Sequence, residues 1–206
     1  MTQPTPSSAP QQAGWQLPPP PWAAPALRPP PPPPAMSPAG QPLATFTDRL
    51  LAYLIDYGVL LCVALVLAVP AFVIFFLAVG PDLFEVRPDG TPVEPSFVEF
   101  FVPLLLIEIG LFAVLLVVSY VYYVEILFRS GQTLGKRVMK IKIVALAPDT
   151  ALTRRSAAKR WLVAHVATNF VPGFLYLDGL WQLWDKPHQQ CLHDKFAATV
   201  VVKVPA

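Results

Sequence analysis

Charge is scarce in this chain. Only 14% of the 206 residues are Asp, Glu, Lys or Arg, whereas 54% are hydrophobic. Average soluble domains carry about 25% charged residues, so an ordinary soluble surface is excluded. Cysteine is equally sparse. Cys62 and Cys191 are the two present, and two isolated thiols imply neither a disulfide framework nor a redox compartment. The first residues lack a basic-then-apolar pattern, which argues against a cleaved signal peptide. Gly131-Gln132-Thr133-Leu134-Gly135-Lys136 resembles a phosphate loop but fails as one. Its spacing is one residue short, and Arg137 stands where magnesium needs Ser or Thr. His188, Cys191, His193 and Asp194 do not follow a standard zinc spacing. Asp194 has Lys186 and Lys195 as nearby cations in the sequence. No Ser/His/Asp or Cys/His assembly stands out, so we expect no enzyme, no cofactor and no metal.

What the chain has instead is long apolar runs. Arg49–Val79 reads RLLAYLIDYGVLLCVALVLAVPAFVIFFLAV, and about 20 such residues span a bilayer core. The run carries one acid, Asp56, seven residues after Arg49. Seven helical steps return a side chain to nearly the same face, about 10 Å further along the axis. An acid within the bilayer costs roughly 2.5–3.5 kcal/mol on insertion scales and reads by default as functional. The competing reading is a packing partner for a basic group elsewhere. Depth stays open: a helix over Leu50–Val79 puts Asp56 near one edge of the core, and a helix stopped at Pro70 puts it near the midplane.

A second apolar run, Phe97–Phe128, holds Glu99, Glu108 and Glu125. Glu108 is the deepest of them. It is either protonated and idle or a second functional acid facing Asp56. The loop between the runs, residues 80–96, has four acids and one Arg. The segment 129–160 has nine Lys or Arg and a single acid, Asp149. The positive-inside rule puts this basic segment in the cytoplasm, with the N-terminus. Arg137, Lys140, Arg154 and Arg155 are candidates for anionic lipid headgroups. Nucleic acid is not expected, because no reader motif accompanies the charge.

Val138–Val144 alternates apolar and basic residues, as a half-wet strand does. Residues 198–204 are rich in Val and Thr and form a second strand candidate. One strand cannot stand alone, so we expect the two to pair on the cytoplasmic side. The third apolar run, Trp161–Trp184, then starts and ends inside. Asn169, Pro172 and Gly173 interrupt it, and each half is about 17 Å as helix, too short to span. A re-entrant or interfacial hairpin is favoured over a single kinked crossing.

Residues 1–45 hold 16 of the 26 prolines. Such runs adopt extended polyproline II and build no packed core. We expect a disordered, proline-rich cytoplasmic tail that serves as a spacer or takes a protein partner. The remaining residues, 46–204, form an α-helical membrane domain with two long spans (about 50–79 and 97–128), the broken third segment and a small β-pairing. Thr47 or Asp48 is the expected cap of the first helix.

RLLAYLID, SGQTLGKRVMKIKIV and QCLHDKFAATVVV, in that order, resemble the RDD family of small bacterial membrane proteins. The resemblance covers roughly residues 44–204. It maps the family's Arg to Arg49 and its two Asp to Asp56 and Asp194. Ala197-Ala198-Thr199 departs mildly from the usual Ala-Gly-Thr. The resemblance implies a multi-pass protein of the bacterial plasma membrane. It also implies transport, with some members linked to exchange of protons for small monovalent cations. Two clear spans are few for a pathway, so an oligomer is expected. The alternative is a non-transporting scaffold in which the Arg and Asp residues lock the fold.

Overall fold

The computed structural model describes residues 34–83, 86–91 and 96–205. Most of the proline-rich tail lies outside these residues, as does part of the acidic loop. The tail boundary drawn at residue 45 is too late. Residues 34–45 lie against the sheet: Ala44 N–H donates to Val201 O, Lys203 N–H donates to Pro42 O, and Leu43 bridges Val202. Leu43 and Ala44 are buried. Their apolar side chains gain cover that proline content alone does not reveal.

Helix α1 runs Phe46–Leu83, about 57 Å at 1.5 Å per residue. Its cap is Thr45 rather than Thr47 or Asp48. The Thr45 hydroxyl accepts from Asp48 N–H at 3.2 Å, and the Asp48 carboxylate takes Thr45 N–H at 2.9 Å. This reciprocal pair answers two of the orphan donors at a helix start. Pro70 sits inside α1 and does not end it. Helix α2 runs Phe97–Ser130, with a π-helical stretch at Val121–Ile126. It stops at Gly131, whose φ is +71°. A Cβ there would meet the Lys142 side chain at 2.6 Å. Both α1 and α2 are long and apolar enough to cross a membrane. They run antiparallel: Phe75 meets Phe100 at one end, and Asp56 meets Tyr122 at the other.

The basic segment 129–160 is not a loop. It folds as α3 (Leu134–Val138), β1 (Ile141–Ala145) and the start of the next helix. Strand β2 (Thr199–Lys203) pairs antiparallel with β1, Ile143 opposite Val201. The expected strand at 138 starts late, because Val138 closes α3 and Lys140 takes φ +52°. The alternation holds within β1, where Ile141 and Ile143 are buried and Lys142 is exposed. β2 is covered on both faces. Val201 joins a core with Ala44, Ala52, Val124 and Leu127, while Val200 and Val202 pack with Leu43.

Helix α4 spans 154–170, opening as Arg154–Trp161, with a π-helical stretch at Leu162–Ala167. Thr153 caps it by accepting from Ser156 N–H at 3.1 Å. The chain breaks at Val171-Pro172-Gly173, as expected, with Gly173 at φ +77°. Helix α5, Phe174–Trp181, follows. Helix α6, Leu192–Ala197, then leads into β2. These elements gather at one end of the α1–α2 pair.

Candidate functional site: two buried carboxylates and a shared cavity

Asp56 and Asp194 are both buried and each is ringed by donors, but the donor sets differ. Asp56 projects from α1 toward α3. Its Oδ1 accepts from the Tyr122 hydroxyl at 2.7 Å and from Gly135 N–H at 2.7 Å. Its Oδ2 accepts from the Thr133 hydroxyl at 2.5 Å and from the Lys136 ammonium at 3.3 Å. The failed phosphate loop is therefore a carboxylate cradle. Its backbone turn and Lys136 wrap one acid, an arrangement that suits an anion held close to backbone N–H groups. Burial depresses the basicity of Lys136, and the neighbouring Asp56 opposes that shift.

Asp194 belongs to α6. Arg160 from α4 donates to its Oδ1. Arg49 from α1 reaches its Oδ2 at 3.3 Å. Oδ2 also accepts from Cys191 N–H at 3.1 Å, capping the short helix. Burial pushes the Asp194 carboxyl up, but Arg160, His193 and Arg49 outweigh it and hold it below the usual carboxylate range. Lys195, adjacent in sequence, instead binds Asp185 at 2.5 Å. The cations facing Asp194 are thus not the flanking lysines but two arginines distant in sequence.

Arg49 and Asp56 do share a helix, yet they do not pair. Arg49 also donates to Gln189 O at 2.8 Å. The sequence did not mark Arg160, Thr133, Tyr122 or Gly135 as partners of the two acids, although Thr133 and Gly135 lie in the failed phosphate loop. Arg160 was one of nine basic residues, and only the start of α4 at Arg154 turns it inward. Buried Asp178 adds a second pair, with His193 Nδ1 at 2.6 Å from its Oδ2. Glu108 does not face Asp56. It is exposed on α2, about 21 Å along the axis from Tyr122. Arg137, Lys140, Arg154 and Arg155 are exposed, and Arg154 pairs with Glu125 at 3.0 Å.

A cavity of ≈ 270 Å³ joins the two carboxylate clusters. Arg49, Asp56, Lys136, Arg160, His165 and Asp194 all reach its wall. Cys191, His193 and Asp194 present ligand atoms within 4.8 Å of one another. They do not fit a metal well: both Asp194 oxygens are held by guanidinium groups, and burial pushes the Cys191 thiol up, away from the thiolate a metal needs.

Tyr122→Phe tests the Asp56 cradle. It removes one donor to a buried carboxylate and is expected to cost about 1.5–3 kcal/mol, read as a lowered thermal midpoint of the purified protein. Asp56→Ala should cost more, since it strands Lys136 and Gly135 N–H together.

The profile of the RDD family matches residues 43–198. The chain belongs to the RDD family. The match contains Arg49, Asp56 and Asp194, together with Arg160 and the Gly135-Lys136 turn. Comparison with curated proteins and with solved structures finds no match to this chain. Family membership and two helices able to cross a bilayer are together consistent with a membrane protein.

Proposed function

We propose that this RDD protein is a multi-pass protein of the bacterial plasma membrane that exchanges protons for small monovalent cations. The observation that carries this reading is the position of the Lys136 ammonium. It lies 3.3 Å from both Asp56 Oδ2 and Thr133 Oγ1, beside the cavity. Two oxygens thus hold a monovalent charge. Once Lys136 loses its proton, Asp56 is left uncompensated and the same oxygens suit a hard cation such as sodium or lithium. Proton and cation would then alternate at one carboxylate. Burial has already moved Lys136 toward proton loss, so exchange should rise with pH. The basic elements face the cytoplasm, residues 161–184 form a hairpin that does not cross, and an oligomer supplies the walls that two spans cannot.

Exchange in everted vesicles tests this reading. Asp56→Asn and Lys136→Met, compared at equal folded protein, should each reduce exchange at least tenfold. Lys136→Arg keeps the charge but cannot release a proton in the working range, and should be as inactive. Absence of exchange by well-folded wild type with sodium, potassium and lithium would sink the exchanger.

A second reading is favoured by how completely the acids are paired. Four donors hold Asp56 and two arginines hold Asp194, as a structural lock requires. On that reading the protein is a scaffold, and residues 1–45 recruit its partner. Deleting residues 1–33 would then remove the partner phenotype and leave the folded yield unchanged.

A further inference from the structure

Glu108 lies about halfway along Phe97–Tyr120, a stretch of ~36 Å at 1.5 Å per residue. From there either face of a ~30 Å hydrocarbon core is ~15 Å away, beyond the reach of its short side chain. Yet Glu108 is exposed, and no residue of Phe97–Tyr120 is buried. A carboxyl at that depth is costly against lipid, and such groups pair with one another or face a bundle interior. Among its described residues, one copy of the chain has no polar side chain to offer there. Phe75 is level with Phe100 and Asp56 with Tyr122, so Glu108 is level with the part of α1 around Ala68. Residues 63–69 of α1 are all apolar. On α2 itself, Glu99 and Ser119 are ~13 and ~16 Å away along the axis. The third apolar segment meets α2 at Ser119 and Tyr123, well past Glu108.

The face that carries Glu108 has the pattern of a helix seam. Phe101, Leu105, Glu108 and Phe112 follow the four-three-four spacing that keeps residues on one stripe. All four are exposed. A polar residue at one seam position fixes register and partner at some cost in stability. Inside a bilayer, apolar surface alone gives helices no reason to associate, and polar hydrogen bonds supply part of the attraction. The partner must therefore present a polar group at the depth of Glu108. A second copy does so by symmetry. Copies inserted in the same orientation are related by a two-fold axis along the membrane normal, and an isologous contact brings each axial residue to its own counterpart. Glu108 then meets Glu108. A protonated carboxyl donates and accepts, and a carboxylate accepts. Two such side chains holding at least one proton between them satisfy each other without a third residue.

We propose that the α2 stripe of Phe101, Leu105, Glu108 and Phe112 is the contact between two copies of this chain, with the two Glu108 carboxyls hydrogen bonded across it. The contact deepens the oligomer of the reading above by giving it a face, a depth and a symmetry. It does not rest on exchange: the pairing can hold in a protein that transports nothing, and exchange can fail while the pairing stands. Asp56 and Asp194 are answered within one chain, and their cavity stays clear of the contact, since Tyr122 is about 21 Å along the axis from Glu108.

Disulfide crosslinking of the full chain in membrane vesicles tests the proposal. Cys62→Ala removes the exposed thiol, and Cys191 stays buried. In that background Leu105→Cys and Phe112→Cys place a thiol on the stripe. Leu106→Cys and Val117→Cys place one on the opposite side of α2, where both residues are also exposed. Copper phenanthroline should link the stripe variants into a product of two copies, identified by its mass, at least tenfold faster than the other two. Glu108→Leu, added to the Leu105→Cys chain, should slow that linking at least tenfold. Glu108→Gln should keep it within threefold, because the amide also donates and accepts. Thermal midpoints confirm that each variant is folded, and Glu108→Leu removes no contact within one copy. Equal rates on the two sides of α2 overturn the proposal, as does linking indifferent to Glu108→Leu, or equal loss with Gln and Leu. A folded chain that yields no two-copy product overturns it in favour of lipid as the cover. A Glu108-dependent product containing a different protein overturns it in favour of a foreign helix.

Discussion

Asp194→Asn is expected to cost about 3–5 kcal/mol, the usual penalty for breaking one side of a buried ion pair. The shape survives the change, so the loss is electrostatic. Arg49 and Arg160 come from two different helices and converge on this carboxylate. Without it, two buried guanidinium groups repel each other and neither can reach water. Much of a typical folding free energy of 5–15 kcal/mol would then be gone, and the folded yield should collapse. Arg160→Met should cost less, because Arg49 remains to compensate the acid. pH provides an independent check. The folded Asp194 value lies below the ordinary carboxylate range, and the unfolded value is about 3.9. Its contribution is therefore complete above the unfolded value and is lost as pH falls through the folded one. The wild-type thermal midpoint should hold from neutral pH to about pH 5 and decline below it. Any folded Asp194→Asn protein should show a flatter acid limb.

The carboxylate pair shows what the sequence could and could not reveal. Apolar run length announced both long helices, and alternation announced the strand pair. The family's three motifs pointed to Arg49, Asp56 and Asp194. The pairing among those residues was not legible. Helical periodicity places Arg49 and Asp56 on one stripe, yet a stripe does not say what faces it. Each turns to a partner set by tertiary contact: Arg49 to α6 and Asp56 to α3. Arg160 was hidden for a different reason. Nine basic residues in 32 positions look like a solvated, lipid-facing segment. A cap at Thr153 and six residues of helical register separate exposed Arg154 from buried Arg160. Glu108 failed in the opposite direction. Its depth in an apolar run suggested a partner, but the helix face it occupies is exposed. The segment 34–45 was misassigned to the tail because proline density outweighed the two apolar residues, Leu43 and Ala44, that dock on β2.

Gly135→Ala should disrupt the same region by crowding rather than by charge. A Cβ at Gly135 would collide with the Ala52 carbonyl oxygen, and it would stand 2.8 Å from Asp56 Oδ1. Ala52 O is backbone within α1, so it cannot swing aside as a flexible side chain can. Either α3 lifts off α1 or Asp56 loses its bond to Gly135 N–H. Overpacking costs typically 1–3 kcal/mol and occasionally more. The lost charge-assisted bond adds about 1.5–3 kcal/mol, so a loss near 4 kcal/mol is expected. Gly58→Ala is the matched control. Gly58 lies two residues beyond Asp56 on α1, and a Cβ there has nothing within 4 Å. That change should be neutral or stabilising by up to about 1 kcal/mol, since Ala is the better helix former. Thermal midpoints of the two variants, side by side in one detergent, separate close approach from helix propensity. If Gly135→Ala melts with the wild type, α3 is not seated on α1 and the Asp56 cradle is wrongly drawn. If it melts far lower while Gly58→Ala does not, the glycine is required by the carboxylate's contact with the backbone. Lys136, the next residue, then owes its place beside Asp56 to that close approach.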